Sequence, residues 1–528
     1  MSGTPPTGRG GVDREESHRV VIIGSGVGGS ITAFRLARAG VDNLVLERGR
    51  RWPITPGGGT FPWFPSLDKR LLWLDRAAPG PPRLPWPVSA LGSLAASALP
   101  RSTGLLDVLA HRNLTVVCGA GVGGGTLVYG AILPQPGPDA FRRVFPPGID
   151  YGELDRTHFP RARRRLRAAP FPDDLLSHPR YRTNKLWHTA LVEAGLPAEK
   201  VVSGFDFDVI RAELQGTRRP SATIGQYLFT GCDSGAKLSV DRTYLAEAEA
   251  TGRTVVRPLH NVTGIGQHRD GRYHVDVEHL DVRGRVLERI RVVCERLVLA
   301  AGGVHTPRML VTARATGALP GLNEFVGAQW GTNGDQMPVL VDNSHPVGAH
   351  QGGPPAHFAR NHDDTAMITH GGLSRPAGNR LLVCPGIGIP DRFGRWTHCP
   401  LTGAAHLRWE RGSDTTAHRD VLDLMRRAAP HTGPDGATLL DPFAAYPLVL
   451  HPLGGAVIGK ATDLHGRLHG HPGLYCLDSA LMPGSTAGVN PTLTIAAVVE
   501  HCLDNIMGDF TDRQPTDHDQ DLEFVADE

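Results

Sequence analysis

A glycine-rich turn near the start of the chain constrains the fold more than any other feature. Residues 24–29 read Gly-Ser-Gly-Val-Gly-Gly and follow the apolar run His18–Gly24. That run predicts a buried parallel strand, and the residues after the turn predict a helix over 31–39 that Gly40 ends. A second strand is predicted over Asn43–Glu47. The chain therefore opens with a strand–helix–strand unit, typical of a parallel α/β sheet.

The same unit has the pattern of a dinucleotide-binding site. Gly24 suits the tight turn, Gly26 lets the backbone approach a pyrophosphate, and Gly29 permits close packing of helix on strand. The helix N-terminus would offer N–H donors to the phosphates. Glu47 stands at the end of the second strand, where an acidic side chain accepts hydrogen bonds from ribose hydroxyls. A turn without a ligand could have this sequence, and the motif alone does not separate FAD from NAD.

The positions of the other predicted strands favour FAD. Residues 296–302 form a buried strand pattern that ends in glycine, and residues 473–478 form another near the end of the chain. A Rossmann sheet that is split by insertions and closed by the C-terminal segment is more typical of flavoproteins than of NAD dehydrogenases. Residues 273–278 alternate apolar and polar side chains, which predicts a half-buried antiparallel strand.

Length, charge and cysteine usage exclude several classes of protein. The 528 residues suggest two or three domains, at roughly 150 residues each. A formal net charge of +2 favours a small-molecule partner and not nucleic acid, and the basic run 161–167 is read as a solvated helix face. Seven scattered cysteines without a C-x-x-C pair predict no disulfide framework, no zinc site and no metal. No apolar stretch predicts a secretory signal or a membrane span, so we expect a cytoplasmic protein.

Further motifs follow the first strand–helix–strand unit and point to a protein family. Residues 121–130 form a second glycine-rich cluster, and residues 237–245 and 300–307 carry two further motifs. Near the C-terminus, His451-Pro-Leu-Gly-Gly455 precedes Asp478–Ser485 and Gly488–Thr494. In this order the motifs resemble those of the glucose–methanol–choline (GMC) oxidoreductases, in the cholesterol-oxidase-like branch. The resemblance runs with gaps over roughly residues 18–508 and is weakest across 52–112 and 340–445.

This resemblance implies an α/β fold in which a Rossmann-like FAD-binding domain holds an inserted α+β substrate-binding domain with an antiparallel sheet and helices. We assign 18–50, 113–135, 225–317 and 462–510 to the FAD-binding domain, and 136–224 with 318–461 to the substrate-binding domain. The aromatic-rich residues 51–112 are either a lid over the substrate or an ordered surface excursion. Residues 1–17 and 511–528 are expected to be disordered tails.

The resemblance also implies that FAD binds without a covalent bond. The residues that it places against the cofactor are Gly24, Gly26, Val27, Gly28, Gly29, Glu47, Gly121, Gly124, Gly125, Tyr129, Gly130, Val262, Ala301, Gly302, Asp478, Ser479, Asn490, Pro491 and Thr492.

The family's catalytic pair falls on His451 and Asn490. An imidazole can take the hydroxyl proton of an alcohol while hydride leaves for flavin N5, and O2 or another acceptor then reoxidises the flavin. Asn490 would orient the substrate oxygen, and the helix that Pro491 opens would favour negative charge on the reduced flavin. A purely structural role for His451 is the alternative, since the chain has 25 histidines.

The chain departs from cholesterol oxidases in its substrate pocket. Those enzymes also isomerise a steroid double bond with a Glu, whereas residues 348–376 of this chain contain no Glu. Thr369 or His370 falls at that position, Tyr129 replaces an Asn of the family pattern, and Thr492 replaces a Phe. We therefore expect oxidation of a bulky apolar alcohol, sterol-like, polycyclic or polyketide-type, without the isomerase step. The alternative is a redox-neutral lyase or hydrolase-type enzyme that uses His451 as acid and base.

Overall fold

The computed structural model describes residues 11–55, 57–62, 69–74, 102–343, 351–373 and 380–511. The strands in this part of the chain are β1 (Arg14–Ile23), β2 (Asn43–Leu46), β3 (Leu72–Leu74), β4 (Ser102–Thr103), β5 (Leu106–Ala110), β6 (Thr115–Gly119), β7 (Ala169–Pro170), β8 (Glu199–Lys200), β9 (Val202–Ser203), β10 (Thr254–Arg257), β11 (His260–Gln267), β12 (Tyr273–Leu280), β13 (Val286–Leu299), β14 (Val339–Asp342), β15 (His357–Arg360), β16 (Ala366–Ile368), β17 (Leu381–Val383), β18 (Gly386–Gly388), β19 (Arg395–Cys399), β20 (Ala404–Arg408), β21 (Ala437–Leu440), β22 (Leu448–Val449) and β23 (Leu474–Cys476). The α-helices are α1 (Val27–Arg38), α2 (Pro138–Val144), α3 (Tyr151–Glu153), α4 (Phe159–Arg165), α5 (Asp173–Leu176), α6 (Arg182–Glu193), α7 (Phe207–Leu214), α8 (Tyr244–Ala250), α9 (Gly302–Ala315), α10 (Thr415–Ala428) and α11 (Thr492–Ile506).

The main sheet has seven strands, in the order β10-β2-β1-β13-β12-β11, with β23 also paired to β13. Strands β10, β2, β1, β13 and β23 are parallel, as expected for a Rossmann-like sheet. Strand β13 is long enough to pair with β12 along one part of its length and with β23 along another. Its residues 286–294 pair antiparallel with β12, and its residues 297–299 pair parallel with β23. The sheet therefore combines the parallel nucleotide-binding part with an antiparallel extension.

The carboxyl ends of the parallel strands determine where the site lies. Gly24 follows β1, Glu47 follows β2, Ala300 follows β13 and Leu477 follows β23. Because parallel strands place these ends at one edge of the sheet, the segments meet there, and ligands of such sheets bind at that edge. Helix α1 begins at Val27, within the glycine-rich segment 24–29 and four residues earlier than the sequence pattern predicted.

The smaller sheets belong mainly to the substrate side of the molecule. Strands β18, β16, β15 and β8 form a four-stranded antiparallel sheet, and β17, β14 and β21 form a three-stranded one. Helices α6 and α10 contribute Trp187, Leu191, Val421 and Met425 to the hydrophobic cluster shared with these strands. This arrangement confirms the predicted α/β fold with antiparallel sheets and helices beside the Rossmann-like sheet.

The predicted N-terminal tail needs correction. Residues 14–17 were expected to be disordered, but they form the start of β1 and pair with residues 290–293 of β13, which extends far enough to receive them. Phe141 and Phe159, from the segment 136–224 that is predicted to belong to the substrate-binding domain, lie in the same hydrophobic cluster as the Rossmann strands. The predictions for 1–10, 63–68, 75–101 and 512–528 lie outside the described residues.

Candidate active site

A cavity of about 1200 Å³ opens at the carboxyl ends of the parallel strands. It is large enough to hold a dinucleotide together with a substrate, since pockets for drug-sized ligands span roughly 300–1000 Å³. Most of the residues proposed from the sequence line it: Gly24, Gly26, Val27, Gly28, Glu47, Gly124, Gly125, Tyr129, Gly130, Val262, Ala301, Gly302, His370, His451, Asp478, Ser479, Asn490, Pro491 and Thr492.

Three of the proposed residues do not line this cavity. A Cβ on Gly29 would lie 2.0 Å from the carbonyl oxygen of Gly24, so this glycine serves the packing of α1 against the turn. A Cβ on Gly121 would lie 2.7 Å from side-chain atoms of Leu127 and Trp52, which again indicates a packing role. The Thr369 hydroxyl donates to the backbone oxygen of His357 at 3.2 Å and is buried away from the cavity.

The glycines of the two glycine-rich segments are of two kinds. At some an added Cβ would clash with protein backbone, and at others it would face open space. A Cβ on Gly24 would lie 2.3 Å from the Ala300 oxygen, and one on Gly28 would lie 1.7 Å from the Leu477 oxygen. A Cβ on Gly26 would meet nothing closer than 4.0 Å, and one on Gly125 nothing within 4 Å. Gly26 and Gly125 therefore leave backbone exposed at the cavity wall, as a ligand with a phosphate chain requires.

Glu47 connects the two glycine-rich segments. Its carboxylate accepts hydrogen bonds from the Ser25 backbone N–H at 3.1 Å, the Ser25 hydroxyl at 2.6 Å and the Gly49 N–H at 2.8 Å. The Ser25 hydroxyl oxygen also accepts from the Gly123 N–H at 3.2 Å. These bonds hold the Glu47 carboxylate at the cavity wall and leave part of its acceptor capacity for a ligand.

Asp478 and Ser479 act on the protein backbone. The Asp478 carboxylate accepts from the Gly302 N–H at 2.7 Å, the Thr306 hydroxyl at 2.6 Å and the Ala480 N–H at 2.6 Å. The Ser479 hydroxyl accepts from the Gly303 N–H at 2.7 Å. Burial raises the pKa of Asp478 against the effect of these hydrogen bonds. The pair thus shapes the turn that opens α9 and presents it to the cavity.

His451 is held at the other end of the cavity by Asp335. The ring Nδ1 lies 2.6 Å from Asp335 Oδ1, and Asp335 Oδ2 accepts from the backbone N–H groups of Leu450 and His451 at 2.7 and 2.8 Å. A carboxylate only accepts, so Nδ1 carries the proton and Nε2 keeps its lone pair. Asp335 is 5% exposed, which strengthens this interaction.

Local backbone pairing explains why Asp335 lies beside a residue more than a hundred positions away. Gly331 and Leu453 exchange two backbone hydrogen bonds of 2.8 and 3.0 Å, so the segment that leads to Asp335 runs antiparallel to the segment that holds His451.

Asn333 supports Asn490 from the same segment. Its side-chain amide donates to the Val489 oxygen at 2.9 Å and accepts from the Thr486 N–H at 2.8 Å. Asn490 follows directly, and its own Oδ1 is buried without a hydrogen-bond partner among the described residues. Such a group requires a partner, and in this position a ligand of the cavity can supply one.

His370 has a defined tautomer. Asn184 Oδ1 accepts from the Ala356 N–H at 2.6 Å, so it must also be the acceptor in its 3.0 Å bond with His370 Nε2. Nε2 therefore carries the proton, and Nδ1 is a buried lone pair without a partner in the described chain. Burial lowers the pKa of His370 to about 3, helped by the nearby His357. The ring can accept a hydrogen bond but is a weak base.

Tyr129 is anchored by its hydroxyl, which donates to the Leu238 oxygen at 2.7 Å. Beside it, the buried Lys237 amine donates to the backbone oxygens of Leu127 at 2.8 Å, of Tyr129 at 3.1 Å and of Tyr227. Burial lowers the pKa of Lys237 to about 7. Lys237 therefore fastens the segment that carries Tyr129 at the cavity wall.

Comparison with known proteins supports one family. A family profile described as GMC oxidoreductase matches residues 417–498, a range that contains both His451 and Asn490. A profile for an NAD(P)-binding Rossmann-like domain matches residues 22–58. A cholesterol oxidase from Mycobacterium tuberculosis is 27% identical over 569 aligned residues, covering 91% of this chain and 89% of the relative. A cholesterol oxidase from Acinetobacter baumannii is 24% identical, covering 92% and 94%.

The GMC profile and the two relatives aligned over most of the chain support the GMC oxidoreductase family for this protein. Its full-length relatives place it in the cholesterol-oxidase-like branch, as its motifs predicted.

Solved structures support the fold of this GMC oxidoreductase. A pyridoxine 4-oxidase from Mesorbium loti superimposes with a TM-score of 0.61 at 15% identity, covering 93% of this chain and 99% of that one. A fungal aryl-alcohol oxidase gives the same TM-score, identity and coverage. The family profile and the cholesterol oxidase relatives, together with this shared fold, support an enzyme of the GMC type. No helix in the described part of the chain is long and apolar enough to cross a membrane.

The cavity of this GMC oxidoreductase fits FAD, the cofactor of its family. Open backbone at Gly26 and Gly125 suits the pyrophosphate, and the Glu47 carboxylate suits ribose hydroxyls. The N-terminus of α11, with Pro491 and Thr492 at the cavity wall, offers a positive dipole to a ring system that becomes negative on reduction.

Sequence reasoning missed Asp335 and Asn333. Both lie in the irregular segment 330–338, which has no periodicity or motif that predicts a role. Their partners are far away in sequence, and an isolated Asp or Asn gives no local signal of such a contact.

Proposed function

We propose that this enzyme oxidises the CH–OH group of a bulky apolar alcohol with FAD bound non-covalently, and with His451 as the base. FAD-dependent alcohol oxidation is supported by the family and by the relatives. The finer proposal depends chiefly on one observation. Asp335 holds His451 Nδ1 at 2.6 Å, which leaves the Nε2 lone pair as the free base of a ring that lines the cavity.

In this proposal His451, Asp335 and Asn490 have different roles around the substrate. FAD, when bound, supplies the acceptor for the hydride of the alcohol carbon. His451 Nε2 takes the hydroxyl proton, and Asp335 stabilises the resulting imidazolium through the short bond at Nδ1. The amide of Asn490, positioned through Asn333 and Val489, orients the substrate oxygen.

The lining of the cavity supports a large apolar substrate. Side chains of Ile132, Leu228, Phe229, Met337 and Leu450 line it together with His370 and His451. These groups offer apolar surface and no charge, so they favour a hydrocarbon skeleton over a sugar or a charged alcohol.

The absence of a steroid isomerase step remains part of the proposal. The carboxylates that line the cavity in the described residues are Glu47, Asp276, Glu278 and Asp478, which follow or lie in strands of the Rossmann-like sheet. Asp363 is exposed and pairs with His362 at 2.9 Å. His370 is a weak base because burial lowers its pKa to about 3. Neither residue is suited to abstract an allylic proton.

A panel of alcohols tests the reaction class. Under nitrogen, a true substrate should bleach the flavin absorbance of the purified holoenzyme and yield the matching ketone or aldehyde, and bulky apolar alcohols should react fastest. Retention of colour while substrate is consumed would instead indicate the redox-neutral lyase alternative. If sterols are oxidised, the first product should keep its double bond in place, so rapid formation of the conjugated enone would contradict the proposed pocket.

Acid precipitation tests the cofactor linkage. Non-covalent FAD should appear in the supernatant, whereas colour retained in the washed protein pellet would refute this part of the proposal.

A further inference from the structure

A second cluster of polar side chains lies where α11 packs against residues 151–165. Glu153, His158 and His501 each place one potential ligand atom within 4.8 Å of the others. The three residues are absent from the lining of the catalytic cavity. Two imidazoles and a carboxylate form a donor set that binds zinc in proteins, so the cluster has the chemistry of a metal site that is separate from the proposed reaction.

A π-helical turn brings two of these side chains together. Helix α3 ends at Glu153, and the following residues, Leu154–His158, are π-helical. A π-helix joins residues five apart, so it places Glu153 and His158 on one face, where a regular α-helix would separate them. Turns of this kind occur often at functional sites.

The two histidines are buried and incompletely bonded. His158 is 1% exposed and His501 is 5% exposed. His158 Nδ1 and His501 Nε2 have no hydrogen-bond partner within the described residues. Glu153 is half-exposed and gives solvent access to the cluster.

Two of the three distances match those around a tetrahedral ion, and the third, between the two imidazole nitrogens, is at most 4.8 Å. Glu153 Oε1 lies 3.2 Å from His158 Nε2 and 3.4 Å from His501 Nδ1. Metal bonds of about 2.0–2.2 Å in tetrahedral geometry separate ligand atoms by roughly 3.3 Å. We propose that these three atoms bind one Zn²⁺ per chain, with water in the fourth position.

An outer carboxylate completes this site. Asp504 Oδ2 lies 3.7 Å from His158 Nδ1, and Arg161 holds the Asp504 carboxylate at 2.8 and 2.9 Å. Once Nε2 binds the ion, the ring proton of His158 resides on Nδ1 and faces Asp504. Metal-bound histidines commonly have such a partner, and Asp504 stands at ion-pair distance from this nitrogen, slightly beyond a direct hydrogen bond.

The ion would connect two segments that are distant in sequence. His501 lies on α11, about 13 Å along the helix from its start at the cavity wall. Zinc at this point would attach α11 to the segment 151–158 and stabilise the fold without entering the reaction.

Equilibrium dialysis of untagged, chelator-treated holoenzyme against ZnCl2, with elemental analysis, tests the site. Wild type should bind one zinc, and Glu153→Gln and His501→Gln should weaken its affinity more than about tenfold, the smallest loss known for even an outer partner. His362→Ala is the matched control, because His362 is fully exposed beside Asp363 at 2.9 Å, and it should bind zinc as wild type does.

The same variants are compared with and without zinc by thermal unfolding. Zinc should raise the Tm of wild type and His362→Ala by several degrees, and leave that of Glu153→Gln and His501→Gln unchanged. Because each variant serves as its own reference, a loss of basal stability does not obscure the result. Equal zinc affinity in wild type and both ligand variants would overturn the proposal.

Discussion

The end of the cavity proposed to bind the nucleotide, at Gly24–Gly28, is formed by backbone atoms and glycines at strand ends. The end proposed for catalysis, at His451, is formed by side chains that other side chains hold in place. A Cβ added to Gly24 or Gly28 would clash with the carbonyl oxygen of Ala300 or Leu477. His451 instead depends on the carboxylate of Asp335. The comparison teaches that substitutions at the first end should damage folding and cofactor retention, while substitutions at the second should damage chemistry in a folded protein.

The largest effect is expected from Gly28→Ala. The added Cβ would lie 1.7 Å from the Leu477 oxygen and 3.0 Å from the Asp478 Cα, and these backbone atoms cannot move aside as a flexible side chain can. We expect a loss of more than about 4 kcal/mol in the free energy of unfolding, measured by denaturant titration, or no folded holoenzyme.

Gly26→Ala is the matched control for that variant. Its Cβ would have no protein neighbour closer than 4.0 Å, so the apoprotein should keep its stability while FAD binds more weakly. Equal destabilisation by the two substitutions would show that the nucleotide end is not divided between packing glycines and ligand-facing glycines.

Asp335→Asn should come next. An Asn can still accept from the Leu450 and His451 N–H groups, but its amide then donates to His451 Nδ1 and moves the ring proton to Nε2. We expect kcat to fall about 10–100-fold with FAD content retained.

The pH profile of kcat distinguishes this positioning role from a structural one. Asp335→Asn should alter the profile as well as the rate, and Asp335→Glu should recover part of both. A variant that is slower only because it loses FAD, or that works at the wild-type rate, would contradict the assigned role of Asp335.

The smallest effect on catalysis is expected from the substitution Asp414→Asn. In the native protein the Asp414 carboxylate accepts a hydrogen bond from the Thr332 hydroxyl at 2.8 Å. Burial, opposed by that hydrogen bond and aided by Asp335, raises the pKa of Asp414 to about 7. In the folded protein the Asp414 carboxyl therefore keeps its proton up to about pH 7, whereas in the unfolded chain it releases the proton from about pH 4 upward. The free energy of unfolding of wild type therefore decreases as the pH rises between these two values.

The variant should remove that decline. Relative to Asp414→Asn, wild type should lose up to about 1.4 kcal/mol of unfolding free energy per pH unit across this window. Urea titrations at several pH values measure the difference. Parallel stability curves for the two proteins would show that Asp414 is ionised in the folded state.

The contrast between the two ends also explains what could be predicted from sequence. Gly24–Gly29 and Glu47 lie within one strand–helix–strand unit, where spacing and propensity determine the local structure. His451 and Asn490 are proposed only through the family resemblance. Asp335, Asn333 and the tautomer of His370 depend on contacts between irregular segments, for which the sequence has no periodic signal. The sequence also gives no sign that Phe159 enters the cluster shared with the Rossmann strands, because an apolar side chain does not reveal which core it enters.

The rate of flavin reduction under nitrogen, followed by rapid mixing of the holoenzyme with an alcohol substrate, tests the central claim most directly. Wild type and His451→Ala are compared at saturating substrate and at equal FAD content. The account predicts that His451→Ala reduces its flavin about 10²–10⁴-fold more slowly. An unchanged rate of reduction would contradict the assignment of His451 as the base.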